Sequence, residues 1–162
     1  MMLARVTLEF RLRNTGHSPA QHVLVSPVIF PETSSRSADL ELRTHCDRFR
    51  NRSLDPVGYE YSLFPGDTLP PHAITIAIDR EEIDKALPNL FGRFISPAIC
   101  GCIDYDYQGS AGRHQTRFIF KLERISSSPP NPGAHVVIEP ALGSIPASQL
   151  ALTVWVAGSQ AD

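Results

Sequence analysis

The residues with the most evident chemistry are three cysteines, Cys46, Cys100 and Cys102. Residues two apart on a strand point to the same face, so Cys100 and Cys102 share a face if their segment is extended. A bridge between these two would need unusual geometry. Cys46 reaches either of them if its own segment is a helix that covers the sheet. The alternative is that all three are reduced and act as small buried apolar side chains. A single disulfide among the three cysteines would leave one of them as a free thiol.

Two aspartates and a histidine form the second candidate site. Asp104 and Asp106 are two apart on a predicted strand, and His114 lies across the following turn. Carboxylates on one strand face beside an imidazole can hold a metal ion or carry out acid–base chemistry. Aspartates that alternate with Tyr105 and Tyr107 are also typical of a strand with one solvated face. These three residues therefore carry the enzymatic alternative, a metal-dependent or hydrolytic protein.

Sequence motifs for other catalytic or cofactor sites are missing. The spacing of Cys100 and Cys102 is shorter than the pairs that bind zinc, and His45 points about 100° away from Cys46 on a helix. The six histidines include no pair at i, i+4. The chain has neither a phosphate-binding glycine loop nor a Gly-x-Ser-x-Gly turn. We predict no catalytic, cofactor-binding or metal-binding residue and a protein that is not an enzyme.

Four arginines concentrate on one predicted helix. They are Arg43, Arg48, Arg50 and Arg52. The usual role of such a patch is a solvated helix face, and the alternative is contact with anionic lipid or an acidic partner. We treat the four residues as a candidate interaction patch.

The elements that position these residues begin with alternating strands. Apolar and polar residues alternate over residues 6–13, residues 14–16 favour a turn, and residues 21–30 predict a returning strand. This pattern predicts a first hairpin. Pro27 lacks a donor for a central strand, so the second strand is expected at an edge or bulged there.

Two helices are predicted. The first covers residues 35–51, with Ser35 or Ser37 as its cap. A capping box of Asp79 and Glu82 predicts the second helix over residues 80–87, after a strand at residues 74–78. The apolar residues that share one face of the first helix are Leu42, Cys46 and Phe49.

A second hairpin is predicted from residues 95–107 and 115–125, which flank a glycine-containing turn. Alternation within the strands also selects the side chains that should be buried between two sheets. These are Phe10, Ile76, Ile103 and Phe118.

Composition bounds the class of protein. The chain has 162 residues, of which 42% are hydrophobic, and a net charge of −2. This length suits one domain with its own core. The balanced charge argues against nucleic-acid binding, and no apolar run is long enough to span a bilayer. Short strands separated by turns, with only two helices, favour an antiparallel β-sandwich with Greek-key connections.

The predicted organisation is a β-sandwich over residues 1–125, a Ser/Pro linker over 126–133 and an extended C-terminal segment over 134–162. The alternation around residues 150–156 predicts a strand in that last segment. This strand either docks on the body of the protein or completes the sheet of a neighbouring chain, which would make an oligomer.

Four stretches together resemble an uncharacterised group of bacterial proteins that carry an extramembrane β-rich domain behind hydrophobic N-terminal helices. They are Leu12–Ala20 with its Asn-Thr-Gly-x-x-Pro-Ala turn, Leu63–Thr68 with Leu-Phe-Pro-Gly, Gly101–Tyr105 with Gly-Cys-Ile-Asp-Tyr, and His114–Phe118 with His-Gln-Thr-x-Phe. The resemblance covers roughly residues 8–125.

The resemblance implies an Ig-like sandwich and a bridge between Cys46 and Cys102. It assigns no reaction and no catalytic residue. It also implies a membrane anchor outside this chain, which would place the domain at the periplasmic or cytoplasmic side of a bacterial membrane; without an anchor, a cytoplasmic protein is expected. The expected function is a non-catalytic interaction or sensing module with an unidentified protein partner.

Overall fold

Antiparallel strands make up most of the structure, as predicted, and two helices are inserted between them. The computed structural model describes residues 3–50, 61–87, 93–107, 112–127 and 129–155. The strands are β1 (Leu3–Phe10), β2 (Ala20–Pro31), β3 (Tyr61–Leu63), β4 (His72–Asp79), β5 (Pro97–Tyr107), β6 (His114–Ile125), β7 (His135–Val136) and β8 (Leu150–Val154). The helices are α1 (Ala38–Arg50) and α2 (Arg80–Ala86), and Pro140–Leu142 and Ala147–Gln149 form 3₁₀ turns.

The strands form two sheets. The small sheet pairs β1 with β4, and the large sheet has the order β3-β2-β5-β6-β7, with β8 also paired to β6. Lys121 of β6 pairs with Ala98 of β5 and with Thr153 of β8, so β5 and β8 lie on opposite edges of β6. The predicted hairpin of β5 and β6 is confirmed. The predicted hairpin of β1 and β2 is wrong, because these strands belong to different sheets.

The turn after β1 shows why the first hairpin does not form. The chain turns where predicted, with the Gly16 amide donating to Asn14 Oδ1 at 2.9 Å. The backbone of Asn14, however, pairs with a later segment: its amide donates to the Asp67 carbonyl, and its carbonyl accepts from the Gly66 amide. The chain therefore leaves the small sheet here and enters the large one.

Strand β2 has its irregularity at a different place from the one predicted. The bulge lies between Gln21 and Leu24, not at Pro27. β3 pairs only with Ala20 and Val23, so among the described residues Pro27 has a strand neighbour on one side alone, opposite Gly101 of β5. The prediction of an edge strand is therefore wrong, because β2 lies between β3 and β5, although no described strand pairs with Pro27 on its other side.

The large sheet is covered on both faces. Successive residues of its strands alternate between two apolar clusters, so that Ile29 and Ile99 face the small sheet and α2, whereas Phe30 and Cys100 face α1. The three layers are therefore the small sheet with α2, the large sheet, and α1.

The predicted core is confirmed in part. Ile76 and Phe118 are buried, and Phe118 packs on Phe10 of the small sheet with ring centroids 5.6 Å apart. Phe10 and Ile103 are only half-buried, so their prediction as fully buried residues is wrong. Phe10 is the last residue of β1, and Ile103 lies four residues beyond Ile99, outside the buried cluster on that face.

Both helices begin after the residues expected to precede them. The Leu40 amide donates to Ser37 Oγ at 3.4 Å, which confirms Ser37 as a cap of α1. The capping box predicted for α2 is wrong, because Asp79 makes no side-chain cap hydrogen bond. Glu82 instead accepts a hydrogen bond from Arg36 at 2.6 Å, which ties α2 to the chain that enters α1. Neither described helix is long and apolar enough to cross a membrane.

The C-terminal segment docks on the body of the protein. After β6, the Ser126 amide donates to the Ala134 carbonyl at 2.8 Å. β8 then runs antiparallel to β6, with Leu152 opposite Leu122. Ile138 bridges to Ile95, just before β5, and is buried in the core beneath the small sheet. The described part of the segment therefore completes the large sheet of its own chain.

Candidate functional site

Helix α1 is covalently attached to the large sheet. Cys46 and Cys102 form a disulfide across a sequence separation of 56, with their Cα atoms 5.7 Å apart. Both residues are fully buried. This finding confirms the bridge implied by the resemblance and the predicted packing of the helix over β5.

The glycine beside Cys102 allows β5 to approach β2 closely. A Cβ atom at Gly101 would collide with the Ser26 carbonyl oxygen and would lie 2.9 Å from the Pro27 Cα and 2.7 Å from the Phe118 ring. Since real Cβ atoms are not found at such distances from backbone, a side chain there would push the strands apart. Gly101 therefore helps to hold Cys102 under α1.

The remaining thiol, Cys100, is buried on the same sheet face. Burial, with a smaller contribution from the negative charge of Glu41, raises its pKa to about 12 against the opposing effect of Arg36. The thiolate is the nucleophilic and metal-binding form of cysteine. At neutral pH Cys100 is therefore a protonated, unreactive apolar side chain.

A buried polar network lies next to the disulfide. Gln115 donates from Nε2 to Asp104 Oδ1 at 2.7 Å and to the Cys46 carbonyl at 3.1 Å, and both side chains are almost completely buried. Arg117 donates to Gln115 Oε1 at 2.9 Å and to Asp47 Oδ1 at 2.8 Å. The network joins α1, β5 and β6, and Asp104 is a buried carboxylate that Gln115 holds through its Oδ1 atom. Sequence reasoning missed Gln115, since its role depends on the strand register.

The enzymatic candidate residues do not converge. Asp104 lies directly opposite Gln115, and Tyr105 lies opposite His114, so Asp104 and His114 point to opposite faces of the sheet. His114 packs against the rings of Tyr105 and Tyr107, at centroid distances of 5.9 and 4.7 Å. Across the residues that the structure describes, no three His, Cys, Asp or Glu side chains are grouped to hold a metal ion.

The second aspartate of that set has a different partner. Asp106 Oδ2 lies 3.1 Å from His22 Nδ1. His22 lies within the bulge of β2 and has a φ of 52°, a value that a non-glycine residue seldom adopts. The bulge thus turns the imidazole toward β5, and the resulting pair is partly exposed to solvent.

The predicted arginine patch is not one continuous surface. Arg43 and Arg48 are exposed, and five helical positions place them about 140° apart around α1. Arg50 is half-buried, and Arg52 lies outside the described residues. Asp47 lies on the same side of the helix as Arg43 and contributes an opposite charge there.

A serine and a histidine meet at the same helix–sheet contact. His45 Nε2 lies 3.0 Å from both the hydroxyl and the carbonyl oxygen of Ser26, and the His45 ring stacks on Phe49. The carbonyl contact lets the imidazole donate a hydrogen bond to the backbone of β2. This hydrogen bond attaches α1 to the sheet and does not make the Ser26 hydroxyl a nucleophile.

A candidate site for a ligand lies on the other face of the large sheet. A cavity of about 720 Å³ opens between the small sheet, α2 and the segment that precedes β8. This volume is within the range of small-molecule binding sites. The larger apolar side chains around it come from these three parts and from the large sheet with the residues next to it: Val6, Ile29, Ile78, Ile83, Leu87, Ile95, Leu122, Ile138, Ile145 and Leu150.

Charged side chains contribute to the same lining. Arg93 Nη2 donates to Glu139 Oε1 at 2.9 Å, and Arg80 Nε donates to Asp84 Oδ1 at 2.9 Å. Arg5 also borders the cavity, but on β1 it alternates with Val6, so its side chain shares the exposed face of Thr7. Charges at the rim of an apolar cavity are the arrangement expected for orienting a bound molecule.

Sequence reasoning did not identify this cavity. Its walls come from residues far apart in the chain, and the segment around Ile138 and Ile145 shows no strand or helix periodicity. The only available signal was that this segment keeps apolar residues after a linker-like stretch of serines and prolines.

Comparison with known proteins adds no assignment: no family model, no curated protein and no solved structure matches the chain. The resemblance to the bacterial group therefore stays a prediction, and the case for function depends on the site itself.

Proposed function

We propose that this protein is a non-catalytic binding module that holds a small apolar molecule in the cavity between the small sheet, α2 and the C-terminal segment. The single observation that carries the proposal is the cavity of about 720 Å³, lined by apolar side chains on regular elements. Apolar surface that faces such a space is stabilised when a ligand displaces water from it.

The reactive residue types support a binding role because each is engaged elsewhere. Cys46 and Cys102 are bonded to each other, Cys100 is a buried protonated thiol, and Asp104 is held by Gln115. None of these four borders the cavity. The cavity is instead bordered by apolar side chains and by the ion pairs of Arg80 with Asp84 and of Arg93 with Glu139.

The sensing role at a bacterial membrane and the Ig-like architecture are proposed on the resemblance. The Asn-Thr-Gly-x-x-Pro-Ala turn, one of the stretches that carry the resemblance, has a structural role in this protein. Its Asn14 Nδ2 donates to the carbonyls of Ser18 and Leu63 at 2.8 and 2.9 Å. The resembling Leu-Phe-Pro-Gly stretch places Gly66 at a φ of 87°, which favours glycine. Both motifs therefore stabilise the region where the chain passes from the small sheet to the large sheet.

The proposal is tested with the neutral apolar dye Nile red, whose fluorescence rises in an apolar site. We expect saturable binding by the native chain and loss of binding in Ile145→Trp, because Ile145 is half-buried in the cavity wall and the indole fills the space. Val154→Trp is the matched control, since Val154 is 58% exposed on β8 and does not border the cavity.

Circular dichroism and thermal melting establish that both variants are folded. Equal binding of the dye by the two folded tryptophan variants would show that the cavity is not the binding site. No saturable binding by the native chain would contradict the proposed function.

A further inference from the structure

Strand β1 has one edge that no described strand covers. The small sheet consists of β1 and β4 alone, and the eight residues of β1 pair one to one with those of β4. The other edge of β1 therefore has no strand partner in the described part of the chain. The backbone donors and acceptors of such an edge are a template for pairing with another strand.

The inward face of β1 is apolar and incompletely covered. Leu8 is buried, whereas Val6 and Phe10, which lie on the same face, are only half-buried. A further strand beside β1 would cover apolar surface that these two side chains leave accessible, and that burial is favourable.

The outward face of β1 carries one charge of each sign. Arg5 and Glu9 are exposed and lie two residues before and two residues after Thr7, on the same face as this threonine. Glu9 also lies 3.4 Å from Arg11, and the two side chains are 59% and 70% exposed. This exposed contact leaves Glu9 accessible to a second cation.

Strand β1 lacks the features with which proteins prevent pairing at a sheet edge. It contains no proline, its register with β4 is continuous without a bulge, and the inward face from Ala4 to Phe10 carries no charge. The two charges on the outward face repel a second copy only in registers that bring like charges together.

Antiparallel pairing of two copies of β1 about a two-fold axis at Thr7 suits both faces. In that register Arg5 of each copy lies opposite Glu9 of the other, so the axis generates two ion pairs. On the inward face Val6 of each copy lies opposite Leu8 of the other, so apolar side chains meet. If the axis is moved by one residue in either direction, neither Arg5 nor Glu9 lies opposite its counter-ion.

Strand β8 is the alternative edge for such pairing. It is five residues long, and its Leu152 and Val154 are exposed, but it contains no charged residue that would set a register. Strand β1 offers eight residues and a charge pattern that one register satisfies. The observations therefore favour β1.

We propose that two copies of this chain form a dimer through antiparallel pairing of their β1 strands about a two-fold axis at Thr7. The two small sheets then become one four-stranded sheet with the order β4-β1-β1-β4. Because a single pair of strands forms a small interface, the dimer is weak and reversible rather than obligate. Dimerisation does not require an occupied cavity.

Sedimentation equilibrium of the native chain is the first test. We expect a reversible equilibrium between monomer and dimer, with a dissociation constant on the order of 100 µM. Arg5→Glu and Glu9→Arg should each raise this constant at least about tenfold, because both symmetric ion pairs become pairs of like charge.

Mixing the two charge-reversal variants tests the register. Each variant is weakened alone, but an equimolar mixture should associate as a heterodimer with an affinity close to that of the native dimer, because the facing charges are then opposite in sign. Arg43→Glu is the matched control, since it changes the net charge as Arg5→Glu does, at an exposed position on α1. It should leave the dissociation constant unchanged. Circular dichroism establishes that all the variants are folded.

Three results would overturn the proposed dimer. The first is a native chain that remains monomeric up to about 500 µM, which would leave the β1 edge to a strand of another protein. The second is a dimer that neither charge reversal weakens; its loss in Leu152→Lys would place the contact at β8. The third is a mixture that does not recover affinity, which excludes the register of Arg5 with Glu9. Binding of Nile red is measured separately, so none of these results decides the proposed binding function.

Discussion

The two faces of the large sheet are covered in different ways. On one face, α1 is fastened by the Cys46–Cys102 disulfide and by the buried hydrogen bonds of Gln115. On the other face, the small sheet and α2 pack through apolar side chains such as Ile76, Ile83 and Phe118, and the cavity lies there.

This difference in contacts makes the α1 face rigid and leaves the face under the small sheet able to adapt. A covalent bond and directional hydrogen bonds define one position of a helix, whereas apolar packing is non-directional and tolerates a filled or an unfilled space. The α1 face therefore suits a scaffold role, and the face with the small sheet suits ligand binding. The following three predictions test this contrast, from the largest expected effect to the smallest.

Removal of the disulfide should produce the largest loss. The bridge closes a loop of 56 residues, for which the chain-entropy model gives about 4 kcal/mol. We expect the double variant Cys46→Ala and Cys102→Ala to lose about that free energy of unfolding in urea titration. Cys100→Ala keeps the bridge and is the control. A loss below about 1 kcal/mol would mean that α1 is held mainly by packing and hydrogen bonds.

Truncation of Phe118 should weaken the opposite face. Phe118 is buried between the sheets, 5.6 Å from the Phe10 ring, so Phe118→Ala removes an aromatic contact and leaves a void. We expect a loss of about 3 kcal/mol in the same urea titration, at the lower end of the range for such changes, because the residue keeps 9% exposure.

A surface truncation on β8 provides the control for Phe118. Leu152 is 47% exposed, and Leu152→Ala should change the free energy of unfolding by less than about 0.5 kcal/mol. Equal losses in the two variants would contradict the assignment of Phe118 to the inter-sheet core.

The smallest expected effect at neutral pH is that of Cys100, because its titration changes stability only above pH 9. Its pKa is raised from 9.0 to about 12 by burial, so between these values the folded state keeps a proton that the unfolded state has lost. Stability is therefore complete below pH 9 and decreases as the pH rises, by up to about 1.4 kcal/mol per pH unit.

The variant Cys100→Ala lacks this thiol, so a comparison with the native chain isolates the effect of its titration. We expect urea titrations to show that the stability difference between the native chain and Cys100→Ala shifts in favour of the variant above pH 9. A difference that does not change with pH would show that the thiol is accessible to solvent in the folded state.

Local patterns in the sequence predicted the elements well. The strand patterns of residues 95–107 and 115–125 located the hairpin of β5 and β6, because these strands are neighbours in the chain. The spacing of Leu42, Cys46 and Phe49 placed the apolar face of α1 correctly, since helical periodicity is a local property.

The pairing of distant elements was decided by the tertiary structure. Alternation assigned the faces of β1 but not its neighbour, and β1 pairs with β4, about seventy residues later, instead of β2. The cavity likewise needs Val6, Ile83 and Ile138 together. The sequence by itself determined which side chains turn inward, because that depends on near neighbours along the chain; the partners they meet depend on packing among surfaces far apart in sequence, which only the folded chain selects.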